Sequence, residues 1–327
     1  MEFLKTVMSQ LGDLKGDFVQ EITADDEQAR SLDTASGEDS DQIASGVDEE
    51  GGPVVNKLNE LVEQKQKEYV IEQIDRFISE RIVAAGNLIS SMAGDKIRDG
   101  DIVLTYGRSS VVEQLLLRAH GSTSDESDGT TATGAEKSKK QFHVVIVDSR
   151  PYLEGQGLLE RLTAAGITCT YVLLNAISYA MVNVTKVFLG AAAIGSNGAV
   201  LSRVGTAAVA MMAKSRNIPV IFCCETYKLT EKVFLDSVVN NELGSPAALR
   251  PPHERESSSS GDSADGGGGD GSGRSGKVKY LNLTYDVTPI KFVGMVVTEV
   301  GMIPPTAIPA VLREYHRERN PGEGGRR

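Results

Sequence analysis

The sequence predicts an α/β fold, a parallel sheet with helices on both faces, preceded by a helical region. Five short segments are apolar throughout, as strands buried on both faces are, and stretches with helical periodicity separate them. Because parallel crossovers are right-handed, this alternation is typical of a doubly wound, Rossmann-like domain. The five strands are predicted at residues 101–107, 142–149, 167–174, 186–191 and 218–225.

Capping residues and glycine stops define the helices between these strands. Ser109 is expected to cap the first one by hydrogen bonding to its free amides. We expect residues 281–304 to close the domain with an irregular stretch, a helix and a final loop. The four helices between the strands are predicted at residues 109–119, 153–166, 175–183 and 205–217.

The N-terminal region contains a helical pattern at residues 55–93, which predicts one long helix or a broken pair of helices, with Gly94 as a C-cap. Its apolar residues recur at spacings of three and four, which predicts a core or helix-packing stripe: Ile71, Ile74, Ile78, Ile82, Ala85, Ile89 and Met92. The predicted domains are a partial helical domain at 1–94, with a disordered acidic insertion at 16–52, and a Rossmann-like domain at 95–317. Disordered loops are expected at 121–139 and 245–276, and a flexible tail at 318–327.

The net charge of −11 arises almost entirely in one segment. Residues 16–52 contain twelve acidic residues and one arginine, whereas the remainder of the chain is neutral overall. A neutral folded body argues against a surface built to bind nucleic acid. No apolar run reaches the roughly 18 residues that a membrane span needs. We therefore expect neither nucleic acid nor a membrane as a direct partner.

The three cysteines, Cys169, Cys223 and Cys224, lie in apolar, strand-like runs and lack the spacing of zinc ligands. Buried thiols of this kind are typical of a reducing compartment, so we expect a cytosolic protein. The sequence contains no glycine-rich nucleotide motif and no serine-nucleophile elbow, and none of its four histidines is placed as a base. We expect no metal, no cofactor and no catalytic residue.

Polar residues follow the ends of the predicted strands, where ligands bind in an open parallel sheet. Arg150 follows the second strand and Lys228 the fifth. Gly205 begins a helix whose amides favour an anion, and Arg203 lies just before it. Two interpretations stay open: a phosphate pocket, and ordinary ion pairs of the arginines with carboxylates such as Glu154.

Six motifs occur in a fixed order over residues 101–289: LTYGRSS, VDSRPYLEG, SNGAVLSRVGTA, CCETYKL, NNELGSP and LNLTYDVTP. The set resembles the regulatory alpha, beta and delta subunits of eukaryotic translation initiation factor 2B, and CCETYK followed by NEL is most similar to the delta type. The resemblance covers about residues 55–315. Delta-type subunits carry a longer N-terminal region, so the chain is expected to be either a fragment or the product of an incomplete gene prediction.

The resemblance implies a non-catalytic regulatory subunit of the guanine-nucleotide exchange factor that acts on translation initiation factor 2. The implied partners are the beta subunit, paired through the Rossmann-like domain, and the alpha, gamma and epsilon subunits. In this family the epsilon subunit catalyses exchange, and the regulatory core senses phosphorylation of the alpha subunit of initiation factor 2. The polar face of helix 55–93 is implied to face that factor.

The same superfamily contains sugar-phosphate isomerases, and the resemblance implies which of their residues are missing here. Their catalytic Cys is replaced by Gly107, their catalytic Asp by Leu174, and a further acidic position by Ala192. Isomerisation needs a positioned acid and base, which these side chains do not supply. The positions that survive are implied to form a relict phosphate-type pocket: Arg150, Ser202, Arg203, Gly205, Thr206 and Lys228.

The closing segment Tyr285–Pro305 is the expected surface for another subunit. Two alternatives to an interaction subunit are kept: a sugar-phosphate isomerase, and a module that binds a sugar phosphate or nucleotide through Arg150 and Arg203 without turning it over. The interface candidates are Tyr285, Asp286, Thr288, Pro289, Glu299 and Met302.

Overall fold

The computed structural model describes residues 53–121, 139–237, 241–249 and 279–319, and side chains between residues 64 and 315. The predictions for the first 52 residues, for most of the two inserted loops and for the end of the tail lie outside these ranges. The chain divides into two compact units, Met1–Ile82 and Val83–Arg327.

The described part of the first unit is helical. Helix α1 (Pro53–Phe77) continues into a π-helical segment (Ile78–Val83), so the long helix predicted at 55–93 is confirmed, with a change of helix type inside it. Four isoleucines of the predicted stripe lie in this unit, and each is 39–58% exposed: Ile71, Ile74, Ile78 and Ile82. In the chain by itself, this part of the stripe is therefore surface and not core.

The second unit alternates strands and helices. Its described helices are α2 (Ala84–Gly94), α3 (Ser110–His120), α4 (Gly155–Ala164), α5 (Ile177–Ala180), α6 (Thr206–Ser215) and α7 (Ile308–Arg319). Its described strands are β1 (Ile102–Tyr106), β2 (His143–Asp148), β3 (Thr168–Leu173), β4 (Lys186–Gly190), β5 (Ala193–Gly195), β6 (Val200–Arg203), β7 (Val220–Cys223), β8 (Leu229–Thr230), β9 (Tyr285–Thr288), β10 (Met295–Thr298) and β11 (Gly301–Ile303).

Seven of these strands form a large sheet in the order β11-β10-β7-β4-β1-β2-β3. All neighbours are parallel except the edge pair β10 and β11. The five predicted strands are the five adjacent members β3, β2, β1, β4 and β7, which confirms the predicted fold class. Strand order reverses between β1 and β4, and in sheets of this kind ligands bind beyond the carboxyl ends near such a reversal.

Alternate side chains of the large sheet enter two different cores, one on each face. Val103, Val144 and Phe188 pack on one face, together with side chains of α2, α3 and α4. Leu104 and Val145 point to the other face, towards α6, α7 and a second sheet. The alternation follows from the two-residue period of a strand, and the uniformly apolar strands are its sequence signature.

The second sheet was not predicted. It has four short strands in the order β8-β5-β6-β9, with antiparallel pairs between β5 and β6 and between β6 and β9. Its strands are two to four residues long and pair with segments up to some eighty residues away in the chain. Strands this short show no hydrophobic periodicity in the sequence, so the sequence does not predict them. Their pairing depends on tertiary contacts.

The closing segment differs from the prediction. Residues 281–304 form β9, β10 and β11 with only a short 3₁₀ turn (Ile290–Phe292), so the helix predicted there is wrong, and the missed helix α7 begins later. The predicted domain boundary at 94 also differs from the compact units. Helix α2 belongs to the second unit because its buried Ile89 and Ala93 share a core with α3.

Two of the predicted helix caps differ from the structure. Helix α2 ends on Gly94, and Asp95 is its C-cap. Ser109 stands at the N-cap of α3, but its side chain makes no capping hydrogen bond. It packs against Gly190 at the end of β4 instead, at the reversal of strand order.

We expect Gly190→Ala to lower the free energy of unfolding by about 1–3 kcal/mol, because the added Cβ would lie 2.5 Å from Cβ of Ser109. The double variant Gly190→Ala/Ser109→Gly should regain most of this loss, since it removes the clashing atoms. Urea unfolding of the parent, both single variants and the double variant measures the coupling. Additive effects of the two substitutions would contradict the contact.

Candidate functional site

A cavity of about 210 Å³ lies at the carboxyl edge of the large sheet. Residues that follow β1 and β2 line one side, and the end of β6 lines another. Leu249 and residues 281–284, which precede β9, line the rest. The position agrees with the expectation that polar residues at these strand ends converge.

The two arginines of the predicted pocket both line this cavity, but they differ in their partners. Arg203 donates from Nε to Glu154 Oε2 at 3.1 Å and from Nη2 to Glu154 Oε1 at 2.5 Å. Its guanidinium also lies 5.5 Å from the ring centre of Tyr285. Arg150 is exposed and has no hydrogen bond or ion pair with any described residue. The ion-pair interpretation therefore applies to Arg203. Arg150 lines the same cavity without a partner among the described residues.

The start of α6 was predicted as an anion site, and an internal carboxylate occupies it. Asp286 Oδ2 accepts hydrogen bonds from the amides of Gly205, at 2.7 Å, and Ala207, at 3.1 Å. Gly205 is the N-cap, with a φ of 106°, and it has no side chain with which to cap the helix. Thr206 turns its hydroxyl back to the carbonyl of Arg203 at 2.6 Å.

The Asp286 side chain is only 9% exposed. Its second oxygen, Oδ1, has no hydrogen-bond partner among the described residues. Burial raises the pKa of Asp286 to about 6, although the hydrogen bonds from Ala207 and Gly205 act in the opposite direction. The carboxylate is thus held at the helix start against a desolvation cost.

Tyr106 separates the cavity from the start of α6. Its hydroxyl donates to the carbonyl of Val204 and lies 2.7 Å from Ser149 Oγ. A Cβ added to Gly205 would meet Tyr106 Cζ at 2.7 Å and Leu174 Cδ2 at 2.9 Å. Burial raises the pKa of Tyr106 to about 12, and nearby carboxylates, first that of Asp286, add to the effect. At neutral pH this phenol is therefore a hydrogen-bond donor and not a base.

A carboxylate also holds the start of α4. Asp148 Oδ2 accepts hydrogen bonds from the amide of Gly155 at 2.7 Å and from the hydroxyl of Tyr171 at 2.8 Å. Its other oxygen accepts from the amide of Ser149 at 2.9 Å. The buried carboxylate of Asp148 thus accepts three hydrogen bonds.

Glu299 repeats this arrangement at the short 3₁₀ helix that follows β7. Both of its carboxylate oxygens accept from the amide of Thr226, at 3.1 and 3.0 Å. Lys228, at the end of that turn, pairs with Glu225 at 2.7 Å. Lys228 is absent from the lining of the cavity, so the structure does not bring it to Arg150 and Arg203.

The remaining predicted residues have structural partners. Ser202 is buried and donates to the carbonyl of Gly190 at 2.8 Å. Among the interface candidates, Asp286 and Thr288 are buried inside the chain. Tyr285, Glu299 and Met302 are half-buried, and Pro289 is exposed. Sequence reasoning missed the capping role of Asp286 because its partners lie about eighty residues away.

The positions that the isomerase resemblance singled out do not supply an acid and a base. Gly107 occupies a left-handed turn with a φ of 61°, Leu174 packs beside Gly205, and Ala192 is exposed after β4. Burial raises the pKa of Cys223 to about 12 and raises that of Cys224 as well, so neither thiol is activated.

Among the described residues, no group of three or more potential metal ligands is found. None of the described helices has both the length and the apolar character that crossing a bilayer requires.

A sequence profile of the initiation factor 2 subunit family matches residues 50–305. The delta subunit of translation initiation factor 2B from Dictyostelium discoideum is 44% identical over 80% of the chain, and that from Schizosaccharomyces pombe is 40% identical over 78%. The chain spans 38% and 50% of the lengths of these two relatives. Ribose 1,5-bisphosphate isomerase from Methanocaldococcus jannaschii is 28% identical over 79% of the chain and 72% of its own length.

Solved structures show the same fold. A subunit in the tetrameric beta₂delta₂ complex of translation initiation factor 2B from C. thermophilum is 30% identical. It superposes with a TM-score of 0.53 over 76% of this chain and 69% of its own. An archaeal translation initiation factor 2B from Pyrococcus horikoshii, 22% identical, matches with a TM-score of 0.51 over 73% of this chain and 70% of its own.

Two glycines of α4 test how closely Asp148 approaches the backbone. Gly155→Ala should lower the free energy of unfolding by about 1–3 kcal/mol, because the added Cβ would lie 2.8 Å from Asp148 Oδ2 and 2.9 Å from Cγ. Gly157→Ala is the matched control, since its nearest neighbour is Arg108 Nη1 at 3.8 Å. It should be neutral or stabilising by up to about 1 kcal/mol. Equal losses in urea unfolding would contradict the prediction.

The pKa of Asp286 predicts how stability depends on pH. Because the pKa is raised from 3.8 to about 6, the folded chain binds the proton more tightly than the unfolded chain. The group therefore stabilises the fold at low pH, and this contribution is lost as pH rises through 6. Relative to Asp286→Asn, the parent should lose about 1–2 kcal/mol between pH 5 and pH 7.5. Urea unfolding at both pH values measures this difference, and a constant difference would refute the assignment.

Proposed function

Because the chain belongs to the initiation factor 2 subunit family, we propose that it is a non-catalytic, delta-type regulatory subunit of the guanine-nucleotide exchange factor for translation initiation factor 2. The observation that carries the proposal is the 44% and 40% identity to two delta subunits over about four fifths of the chain. The proposed partners are the beta subunit, by direct pairing, the alpha, gamma and epsilon subunits, and initiation factor 2. The proposed location is the cytosol.

The chemistry of the cavity supports a non-catalytic role. Moving a proton between neighbouring carbons needs an acid and a base with free hydrogen-bonding positions. Here Glu154 is held by Arg203, Asp148 by three donors, and Tyr106 keeps its proton at neutral pH. These groups link the loops around the cavity, which supports a role other than isomerisation.

The outer side of the small sheet is the surface we propose for the beta subunit. The free edge of β9 is covered by side chains: Asn241 bonds the amide and the carbonyl of Tyr285, and Ser237 Oγ accepts from the amide of Val287. Beside this edge, Leu235 is 86% exposed and Leu243 is 68% exposed. Large apolar side chains exposed together mark an interaction surface.

The second proposed surface is the first unit, facing initiation factor 2. Helix α1 carries charged residues such as Glu72 and Arg76, which form an exposed ion pair at 3.2 Å. An exposed ion pair adds little to stability. These side chains are therefore able to form ion pairs with another protein instead. The exposed isoleucines of the stripe add apolar area on the same helix.

Affinity purification of the tagged chain from its own cytosol, followed by mass spectrometry, tests the proposal. We expect the beta, alpha, gamma and epsilon subunits to be recovered, with initiation factor 2 in smaller amounts. Leu235→Asp/Leu243→Asp should reduce recovery of the beta subunit at least tenfold, because it places two charges in an apolar interface. Leu88→Asp, an exposed leucine on the opposite face of the large sheet, is the control and should leave recovery unchanged.

Purification of the chain as a stable homo-oligomer without these subunits would overturn the proposal. The favoured alternative would then be a module that binds a sugar phosphate, since Arg150 lines the cavity and has no partner among the described residues. Equal loss of the beta subunit in the control variant would refute the proposed surface while leaving the assignment as a subunit intact.

A further inference from the structure

The two sheets of the second unit have four outer edges among the described residues: β11 and β3 in the large sheet, and β8 and β9 in the small one. A free edge presents unpaired amides and carbonyls to which a strand of another chain can bind. Three of these edges have features that oppose such pairing. Strand β8 has two residues, and the edge of β9 is covered by Asn241 and Ser237. Strand β11 has three residues, begins with Gly301 and is followed by Pro304.

The edge of β3 lacks all of these features. Its six residues, Thr168–Leu173, include no proline, no glycine and no charged residue, and most of them favour a strand. Among the described residues, none outside β2 hydrogen-bonds to the backbone of residues 168–172. Thr168 and Thr170 are exposed, and the crossover to β4 contributes only the four-residue helix α5 to this face. The described structure therefore leaves the edge open to the addition of a strand.

The helices beside this edge offer apolar area and balanced charge. Helix α5 packs against β3 and exposes Tyr179 (82%) and Val182 (57%), which lie one turn apart. Helix α4 packs on the other face of β3, and its charged residues are the exposed Glu160 and Arg161. Their charges are opposite in sign, so two copies of this surface would meet without a net charge on either side.

The sequence of β3 is suited to antiparallel pairing with itself. A twofold axis beside Thr170, perpendicular to the sheet, places Thr170 opposite its own equivalent and Thr168 opposite Val172. On the other face of the sheet, Cys169 then lies opposite Tyr171. Every pair is uncharged, and threonine pairs across antiparallel strands are favourable. Because each copy uses the same surface, the contact closes at two chains.

We propose that two copies of the chain pair through the outer edges of β3, which joins their seven-stranded sheets into one continuous sheet. Main-chain hydrogen bonds between the two edges hold the pair together, and the exposed side chains of α5 add apolar contact. The pairing uses neither Leu235 nor Leu243, so it is separate from the surface proposed above for the beta subunit.

Size-exclusion chromatography with light scattering of the purified full-length chain tests the proposal. The parent should have twice the mass of a single 34.9 kDa chain and should dissociate on dilution. Thr170→Lys should raise the dissociation constant at least about tenfold, because it places two ammonium groups opposite each other. Thr306→Lys is the matched control, since Thr306 is an exposed threonine just after β11, at the opposite end of the large sheet. It should leave the dissociation constant unchanged.

A mixing experiment separates a lost contact from a damaged fold. Thr170→Glu should weaken the pairing in the same way as Thr170→Lys. An equimolar mixture of the two variants should form dimers again, because opposite charges then face each other across the twofold axis. Recovery in the mixture would show that both variants are folded and that the two β3 edges meet.

A monomeric parent would overturn the proposal and leave a strand of a different protein as the occupant of this edge. A dimer that is equally stable in Thr170→Lys would overturn it as well, and so would a mixture that stays monomeric. The mass of the purified chain does not depend on which subunits bind it in the cytosol, so this proposal and the proposed function fail separately.

Discussion

The carboxyl edge of the large sheet is held together by carboxylates that bind backbone amides. Asp148 fixes the start of α4, Asp286 fixes the start of α6, and Glu299 fixes the short helix after β7. Each helix start lacks a local capping bond, so its free amides depend on a residue from another element. These hydrogen bonds join separate strands, and hydrogen bonds to carboxylates are stronger than those between neutral groups.

The same contacts occupy the polar groups that line the cavity. An active site needs polar groups that are positioned and still free to exchange protons or bind substrate. In this chain, Glu154 is held by Arg203, and the phenol of Tyr106 is buried beside carboxylates. In the structure, Glu154 and Tyr106 link separate loops through these hydrogen bonds.

The small sheet connects the cavity to the outer surface of the domain. Its strand β9 supplies Asp286 to the helix start on one side, while its free edge is closed by Asn241 and Ser237. A protein bound at this edge would therefore contact the same strand whose Asp286 caps the start of α6. The arrangement links the free edge of the small sheet to the start of α6.

The sequence by itself determined the layered α/β fold and the position of the cavity. Uniformly apolar strands such as β2 and the helical periods between them are local signals, and they require no knowledge of distant residues. The prediction that Gly107 and Leu174 stand at acid and base positions came from the resemblance to isomerases. The pairing of Arg203 with Glu154 was one of two interpretations that the sequence left open, and the structure contains it.

Tertiary structure alone decided what the polar groups do. Asp286 stands about eighty residues from the amides that it caps, and the strands that bring it there are too short to show a period. The exposure of Ile71 to Ile82 was likewise invisible, because an apolar stripe looks the same whether another element covers it or not. Local sequence specifies elements, whereas burial and hydrogen-bond partners depend on which distant segments meet.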